Sequence, residues 1–276
     1  MMEKIAIIAS SKDHAGINIR NNLLGLFDFK KLNDNFENNE VYEFKEIDDK
    51  IVKLYLTNND LIFSENIDRQ IDADIFIFAS RHRSKENTPA FTIHSIGNWN
   101  IAEIGGYERE LCYSSAILMK NIFLELNENA KNTNYQITME ATHHGPYVKK
   151  PAVFIEIGST EKEWKNNSNG EIIGKTIMNS LENKNKDFRI AIGIGGTHYC
   201  TNFNKIMLRR DIAFSYVCPK YALQDLNEDL IQQSLRKTIE KVDFAVLDWK
   251  GLGTEKRRIV ELLKSVNLEF KRSDKI

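Results

Sequence analysis

Six histidines carry the first chemical signal in this 276-residue chain. Imidazole is the side chain that ordinarily changes charge near neutral pH, and its neutral form is the commonest metal ligand. His14, His82, His94, His143, His144 and His198 all stand at or after the end of an apolar, strand-like run. His82 sits in Ser80-Arg81-His82-Arg83-Ser84, His94 closes Phe91 to Ile93, and His198 follows Gly193-Ile194-Gly195-Gly196-Thr197. His143 and His144 are adjacent in Thr142-His143-His144-Gly145-Pro146. Neighbours in an extended chain face opposite ways, and the Gly-Pro turn after them relaxes that limit. Glu140, just upstream, is a carboxylate able to fix a histidine tautomer. For one loop histidine alone, an idle solvent-exposed role is about as good a reading. Six in the same kind of place argue for a site.

Several common chemistries are excluded. Gly193-Ile194-Gly195-Gly196 begins a dinucleotide fingerprint, but His198 stands where its third glycine belongs, and there is no P-loop. H-E-x-x-H, H-x-E with C-x-x-C, and G-x-S-x-G are also absent. A metal site must then be built from converging loops. Cys112, Cys200 and Cys218 are odd in number and widely spaced, which fits neither a disulfide framework nor a zinc knuckle. A reducing, cytoplasmic setting is expected. Cys200 follows His198 closely, but reads as a small buried side chain rather than a nucleophile.

The elements that must hold these residues alternate between strand and helix. Lys4 to Ala9, Asp74 to Ala79 and Ala152 to Ile157 are short apolar runs suited to strands buried on both faces. Further strands are expected at Val41 to Phe44, Ile51 to Leu56, Leu61 to Phe63, Phe91 to His94, Tyr135 to Met139, Phe188 to Ile192 and Phe244 to Leu247. Helical spacing marks Ile17 to Phe29, Leu111 to Leu126, Asp225 to Ile239 and Thr254 to Val266. Thr160-Glu161-Lys162-Glu163 is a capping box opening a helix toward Leu181, with a break near Asn166 to Gly170. The pattern predicts an α/β fold, a three-layer sandwich with a mostly parallel or mixed sheet. Ligands of open α/β sheets sit outside the carboxyl ends of the strands, so parallel strands would bring several histidines to one edge.

Composition agrees with a folded protein. Apolar residues make up 42% and charged residues 28% of the chain, enough to build a core. No apolar run reaches a membrane span, and the first ten residues read as a strand rather than a leader. No linker or repeat divides residues 1–276, so a single domain and a monomer are expected. Lys and Arg number 38 against 39 Asp and Glu, a net charge of −1. That excludes a polybasic coat protein but not a local basic patch.

The combined motifs resemble the archaeal and plant type, or type 2, D-aminoacyl-tRNA deacylases. The matching pieces are Ser10 to Ile19, Ser80 to Ser84, Thr92 to Asn98, Gly105-Gly106, Glu140 to Pro146, Phe154 to Thr160 with Glu163-Trp164, and Gly193 to Tyr199. Pro219 to Leu223 and Asp248 to Leu252 also look like family features. Three departures stand out. Thr197 replaces a third glycine, Ser215-Tyr216 replaces a Gly-His pair, and Asp13-His14 replaces Asp-Pro. The resemblance implies a fold similar to peptidyl-tRNA hydrolase and nucleoside phosphorylases. It also implies zinc-dependent hydrolysis of the ester joining a D-amino acid to the terminal ribose of tRNA.

On that reading, His82, His143, His144 and His198 form the pool of Zn2+ ligands, and His94, His143, His144, His198 and Glu140 the catalytic pool. Whether a given imidazole binds metal or acts as a base stays open. Backbone N–H groups of Gly195, Gly196 and Thr197 are candidate oxyanion donors. Arg81 and Arg83 would meet the acceptor end of the tRNA. Lys149-Lys150, Arg209-Arg210 and Lys256-Arg257-Arg258 would extend the basic surface. Tyr199 is a candidate for stacking on the terminal base, while Trp99 suits the core. A nucleoside phosphorylase-like enzyme and a non-catalytic tRNA-binding protein are the competing readings.

Overall fold

The apolar runs become central strands because nothing in them tolerates water. In a computed structural model, which describes residues 2–182 and 187–276, Ile5 to Ala9 and Phe76 to Ala79 are fully buried. The chain runs β1 (Glu3–Ser10), α1 (His14–Leu26), β2 (Lys30–Phe36), β3 (Asn39–Ile47), β4 (Lys50–Thr57), β5 (Ile75–Arg81), β6 (Ala90–Ser95), α2 (Ala116–Asn129), β7 (Gln136–Met139) and β8 (Ala152–Gly158). It continues through α3 (Glu161–Trp164), α4 (Asn167–Ser180), β9 (Arg189–Gly196), α5 (Thr201–Arg209), β10 (Ile212–Pro219), α6 (Glu228–Arg236), β11 (Phe244–Leu247), α7 (Lys256–Ser265) and β12 (Phe270–Arg272). This is the α/β class the pattern predicts.

The strands divide between two sheets. The larger has the order β2-β3-β4-β1-β5-β8-β6-β7, the smaller β10-β9-β11-β12. At the centre of the large sheet, β4, β1, β5 and β8 are parallel. β6 runs antiparallel to β8 and carries β7 parallel to itself. The small sheet is parallel throughout. Backbone bonds tie the two together at the chemically interesting segments: Ala141 N–H to the His198 carbonyl (2.7 Å) and Thr142 N–H to the Val217 carbonyl (3.0 Å).

The two faces of the large sheet are covered differently. On one, Ile5, Ile7, Ile77, Ile93, Val153 and Ile155 pack against helix residues such as Leu23, Ile122 and Ile177. On the other, Phe76, Phe78 and Phe154 meet residues of irregular chain, among them Leu61, Ile67, Ile96 and Val148. Cross-strand register places Thr92 opposite Glu156 and His94 opposite Phe154. Side chains alternate along a strand, so the polar Thr92, His94 and Glu156 share this second face.

Local differences from the sequence pattern have local causes. Leu61–Phe63 is a 3-10 turn rather than a strand. The second helix begins at Ala116 because the Ser115 hydroxyl accepts the Leu118 N–H. The capping box at Thr160 and Glu163 forms, and the helix breaks after Lys165 and restarts at Asn167 under an Asn166 cap. β2, β10 and β12 carry no clear apolar period and are not predicted; α5 is not predicted either, although Phe203, Ile206 and Met207 fall at helical spacing.

Asp13 couples the fold to the site. It caps α1 through Ala15 N–H (2.8 Å) and Gly16 N–H (3.2 Å), and also accepts Arg81 N–H (2.8 Å) and the Ser80 hydroxyl (3.2 Å). One buried carboxylate thus fixes a helix start and the end of β5. Asp13→Ala leaves several buried donors unmet and is expected to cost about 2–3 kcal/mol. For a chain of this size that is a Tm drop of roughly 4–12 °C. Asp13→Asn, which keeps one acceptor oxygen, should lose clearly less. Equal thermal unfolding curves for Asp13→Ala and the parent would remove this role.

Candidate functional site

Five of the six histidines meet on the second face of the large sheet. Reversal of β6 means they do not share one edge of parallel strands. His94 arrives from the face, His82 from the end of β5, His143 and His144 from the segment after β7, and His198 from the end of β9. His14 stands apart as the first residue of α1, exposed, 3.7 Å from Glu161.

Two buried carboxylates organise the cluster. Glu140 accepts from His198 Nε2 at 3.0 Å and lies 3.5 Å from His143 Nε2. Its other oxygen is 2.9 Å from His82 Nδ1, a charge contact without hydrogen-bond alignment. Glu156 lies 3.6 Å from the same His82 nitrogen, 3.9 Å from His94 Nε2, and accepts the Thr92 hydroxyl at 3.1 Å. Burial works against a charged His82, but its close contacts with both glutamate carboxylates outweigh it and raise its pKa to about 11. Burial likewise opposes ionisation of Glu140, yet the bond from His198 and the charge contact with His82 hold it well below the ordinary carboxylate range. Glu156 is pushed up to about 7, by burial first.

Three other imidazoles, His94, His143 and His144, are neutral. Burial, reinforced by neighbouring imidazoles, lowers His143 and His144 to about 3 and His94 well below its ordinary value. His94 Nδ1 faces the Ser95 carbonyl at 3.1 Å, His143 Nδ1 the Ala141 carbonyl at 2.8 Å, and His144 Nδ1 the Gly145 carbonyl at 2.6 Å. A carbonyl only accepts, so each Nδ1 carries the proton and each Nε2 a lone pair. The three rings lie 4.2–4.8 Å apart between centroids. Their ligand atoms fall within 4.8 Å of one another. His94 Nε2 is buried and has no hydrogen-bond partner. Neutral imidazoles whose Nδ1–H groups are anchored on carbonyl oxygens are oriented as zinc-ligating histidines usually are.

Other expected residues fall around this centre. The Tyr199 hydroxyl reaches His82 Nε2 at 3.3 Å. Arg81 and Arg83 both lie 5.8 Å from the centroid of the Trp164 ring, and Trp164 donates to the His82 carbonyl. Gly195 and Gly196 end β9 in close packing: an added Cβ would meet Leu252 and the Asp248 carbonyl at the first, and the Phe203 ring at the second. Thr197 is exposed, while Cys200 and Trp99 are buried as expected. Lys149 and Lys150 precede β8, at the opposite end of that strand from His82, with Lys150 facing Asp74.

Three contributors escape the sequence reading. Glu156 is a lone acid inside an otherwise apolar strand, a legible signal because an unpaired buried carboxylate is rare. Tyr221 is exposed, yet its hydroxyl reaches His198 Nδ1 at 3.2 Å. Gly158 is needed because any Cβ there would lie 2.6 Å from the His82 ring.

An α/β protein with a buried histidine–carboxylate cluster suits hydrolytic chemistry, and comparison with known proteins narrows the class. Residues 69–271 match the family model described as D-aminoacyl-tRNA deacylase. The chain is 37% identical over 272 residues to the D-aminoacyl-tRNA deacylase of Pyrococcus furiosus, covering 96% of this chain and 98% of that protein. It is 32% identical to the Archaeoglobus fulgidus protein of the same name, covering 98% and 96%. A crystal structure of a conserved protein of unknown function superposes with a TM-score of 0.90 at 32% identity, covering 100% of this chain and 96% of that one. This chain belongs to the D-aminoacyl-tRNA deacylase family.

The histidine pKa values set a pH dependence. His143 and His144 stay neutral in the fold down to about pH 3, whereas the unfolded chain protonates them near 6.5. Between those values the unfolded state binds more protons, so stability falls as pH drops, by up to about 1.4 kcal/mol per pH unit for each histidine. His82 acts with the opposite sign: its stabilisation is complete below about 6.5 and is lost as pH rises through about 11. Urea unfolding of metal-free protein between pH 7.5 and 4.5 should show the first effect, and a His143→Gln/His144→Gln variant should show a flatter slope. Parallel curves would mean that both imidazoles are protonated in the fold.

Proposed function

We propose that this protein hydrolyses the ester between a D-amino acid and the terminal ribose of tRNA, at the cluster around Glu140, and that it works with zinc. The observation that carries the reading is the junction of two half-sites in one cluster. One is three neutral imidazoles with free Nε2 lone pairs; the other is an oriented His198–Glu140 pair.

His94, His143 and His144 suit Zn2+ by number, tautomer and the unpartnered Nε2 of His94. Such an ion supplies polarisation of a carbonyl and a lowered pKa for water. His82, counted among the ligands on sequence grounds, is better placed as the cation between Glu140 and Glu156.

The chain's own residues account for proton handling. His198 Nε2–H donates to Glu140, so Nδ1 is the acceptor and takes the Tyr221 O–H. Half-exposed at the mouth, His198 Nδ1 can receive a proton from an attacking water when Tyr221 yields that bond. Glu140 then stabilises the imidazolium it already orients, and a protonated His82 keeps Glu140 ionised. Substrate chirality would be read by the residues around this cluster.

Purified protein should release tyrosine from D-Tyr-tRNA and leave L-Tyr-tRNA intact. Thorough chelation should abolish this and zinc should restore it. His198→Ala should lower kcat by roughly 10²–10⁴-fold with KM little changed. Turnover that survives complete metal removal would sink the zinc assignment while keeping the deacylase. Folded, zinc-loaded protein that cleaves neither ester would overturn the function.

A further inference from the structure

The small sheet offers a second surface beside the site. All four of its strands are parallel, so their carboxyl ends line one edge in the order β10, β9, β11, β12. β9 ends at Gly196 and leads directly to His198. From there α5 runs away from the cluster, and a cleft of about 340 Å3 separates its outer face from the ends of β11 and β12.

Lys205, Arg209, Arg210 and Lys250 line the cleft. All four are exposed, and none has an ion-pair partner among the described residues. Lys205 and Arg209 are four apart, on one face of the helix. Two acidic side chains also line the cleft. Asp274 is held by Arg272 at 2.7 Å, and Asp248 accepts the Gly251 N–H of its own loop at 3.5 Å. Trp249 completes the wall, with the Arg272 guanidinium 4.9 Å and the Lys256 ammonium 5.5 Å from its ring centroid.

The cleft is firmly built. Gly251 abuts the Gly195 carbonyl so closely that a Cβ would lie 1.8 Å away, which locks the 248–252 loop to the turn before His198. At the other end, the buried Lys120 ammonium bonds the Met207 carbonyl and the Arg210 carbonyl (2.7 Å), fixing the last turn of α5. Unpaired cations on a rigid wall are what a phosphodiester backbone requires: position and charge, with no base reading.

The geometry points to this cleft as the seat of the acceptor-arm phosphates of the tRNA, held by Lys205, Arg209, Arg210 and Lys250 while the esterified end reaches His198. This rests on the deacylase reading and adds the side from which the nucleic acid approaches. It also gives the Asp248-Trp249-Lys250-Gly251 motif a task outside the chemistry.

The test compares the Lys205→Glu/Arg209→Glu variant with the parent on D-Tyr-tRNA and on D-tyrosyl-adenosine, which lacks the backbone. Binding of uncharged tRNA is followed by fluorescence anisotropy across a salt series. KM for the tRNA ester should rise roughly tenfold or more beyond any change on the adenosine ester, with kcat within about twofold. The slope of log affinity against log salt should fall by about 2. Lys205→Arg/Arg209→Lys should keep the parental slope. An unchanged salt slope, or equal losses on both esters, would overturn the assignment. A parent that cleaves neither ester would remove the deacylase reading instead. Anisotropy alone would then decide the cleft: weaker tRNA binding by the charge-reversed variant sustains it, and equal binding ends it.

Discussion

Two carboxylates buried within reach of one imidazole set the terms for this structure. Glu140 and Glu156 both approach His82 Nδ1, and all three side chains are almost wholly out of solvent. Two such charges in a low-dielectric interior repel and lose their hydration. Protonated His82 offsets part of that cost, and the Thr92 and His198 donors offset more. Much of the surrounding chain serves this arrangement. Asp13 holds the backbone just before His82, Trp164 binds the His82 carbonyl, and the missing side chain at Gly158 leaves room for its ring.

The unequal covering of the large sheet follows from the same constraint. Helices α1, α2 and α4 need an apolar surface, and the face they cover supplies one. The opposite face carries Thr92, His94 and Glu156, which a packed helix would leave without partners. Irregular chain can turn backbone groups toward such a face, and here it supplies the Ala141 and Gly145 carbonyls that, with the Ser95 carbonyl at the end of β6, set the histidine tautomers. Glu65 then draws two of these segments together, accepting Gly106 N–H at 2.6 Å and Tyr147 N–H. The histidines are thus oriented by backbone, which leaves their Nε2 atoms free for chemistry.

This also explains what was legible in the sequence. Buried central strands announce themselves by composition, and most helices by period or cap, so the α/β class could be read. The convergence of the histidines could be anticipated only in part: His82 and His198 follow strands of the parallel sets, whereas β7, which leads to His143 and His144, runs with β6 against β8. The direction of β6 could not, since a six-residue strand pairs equally well either way until its neighbours are placed. His94 therefore reaches the cluster by a route the strand-end rule does not describe. β10 was invisible for a different reason. Ser215 and Tyr216 break its apolar run, and both are satisfied only in the fold: Ser215 by Thr238 at 2.8 Å, Tyr216 by the Cys112 carbonyl at 2.5 Å.

The three departures from the family motifs fall at positions where the fold absorbs them. His14 occupies the first position of α1, where a proline is equally at home because its missing N–H would have no helical partner. Thr197 is exposed at the turn after β9, where a side chain is free to point outward. Tyr216 lies in the core between the small sheet and its helices, in one cluster with Ile192, Ile194 and Leu230, and its hydroxyl bonds the Cys112 carbonyl. An imidazole at that position would be buried in this apolar core, whereas the tyrosine hydroxyl finds a backbone carbonyl. Each substitution alters support or surface, and the histidine–carboxylate cluster is assembled without using any of them.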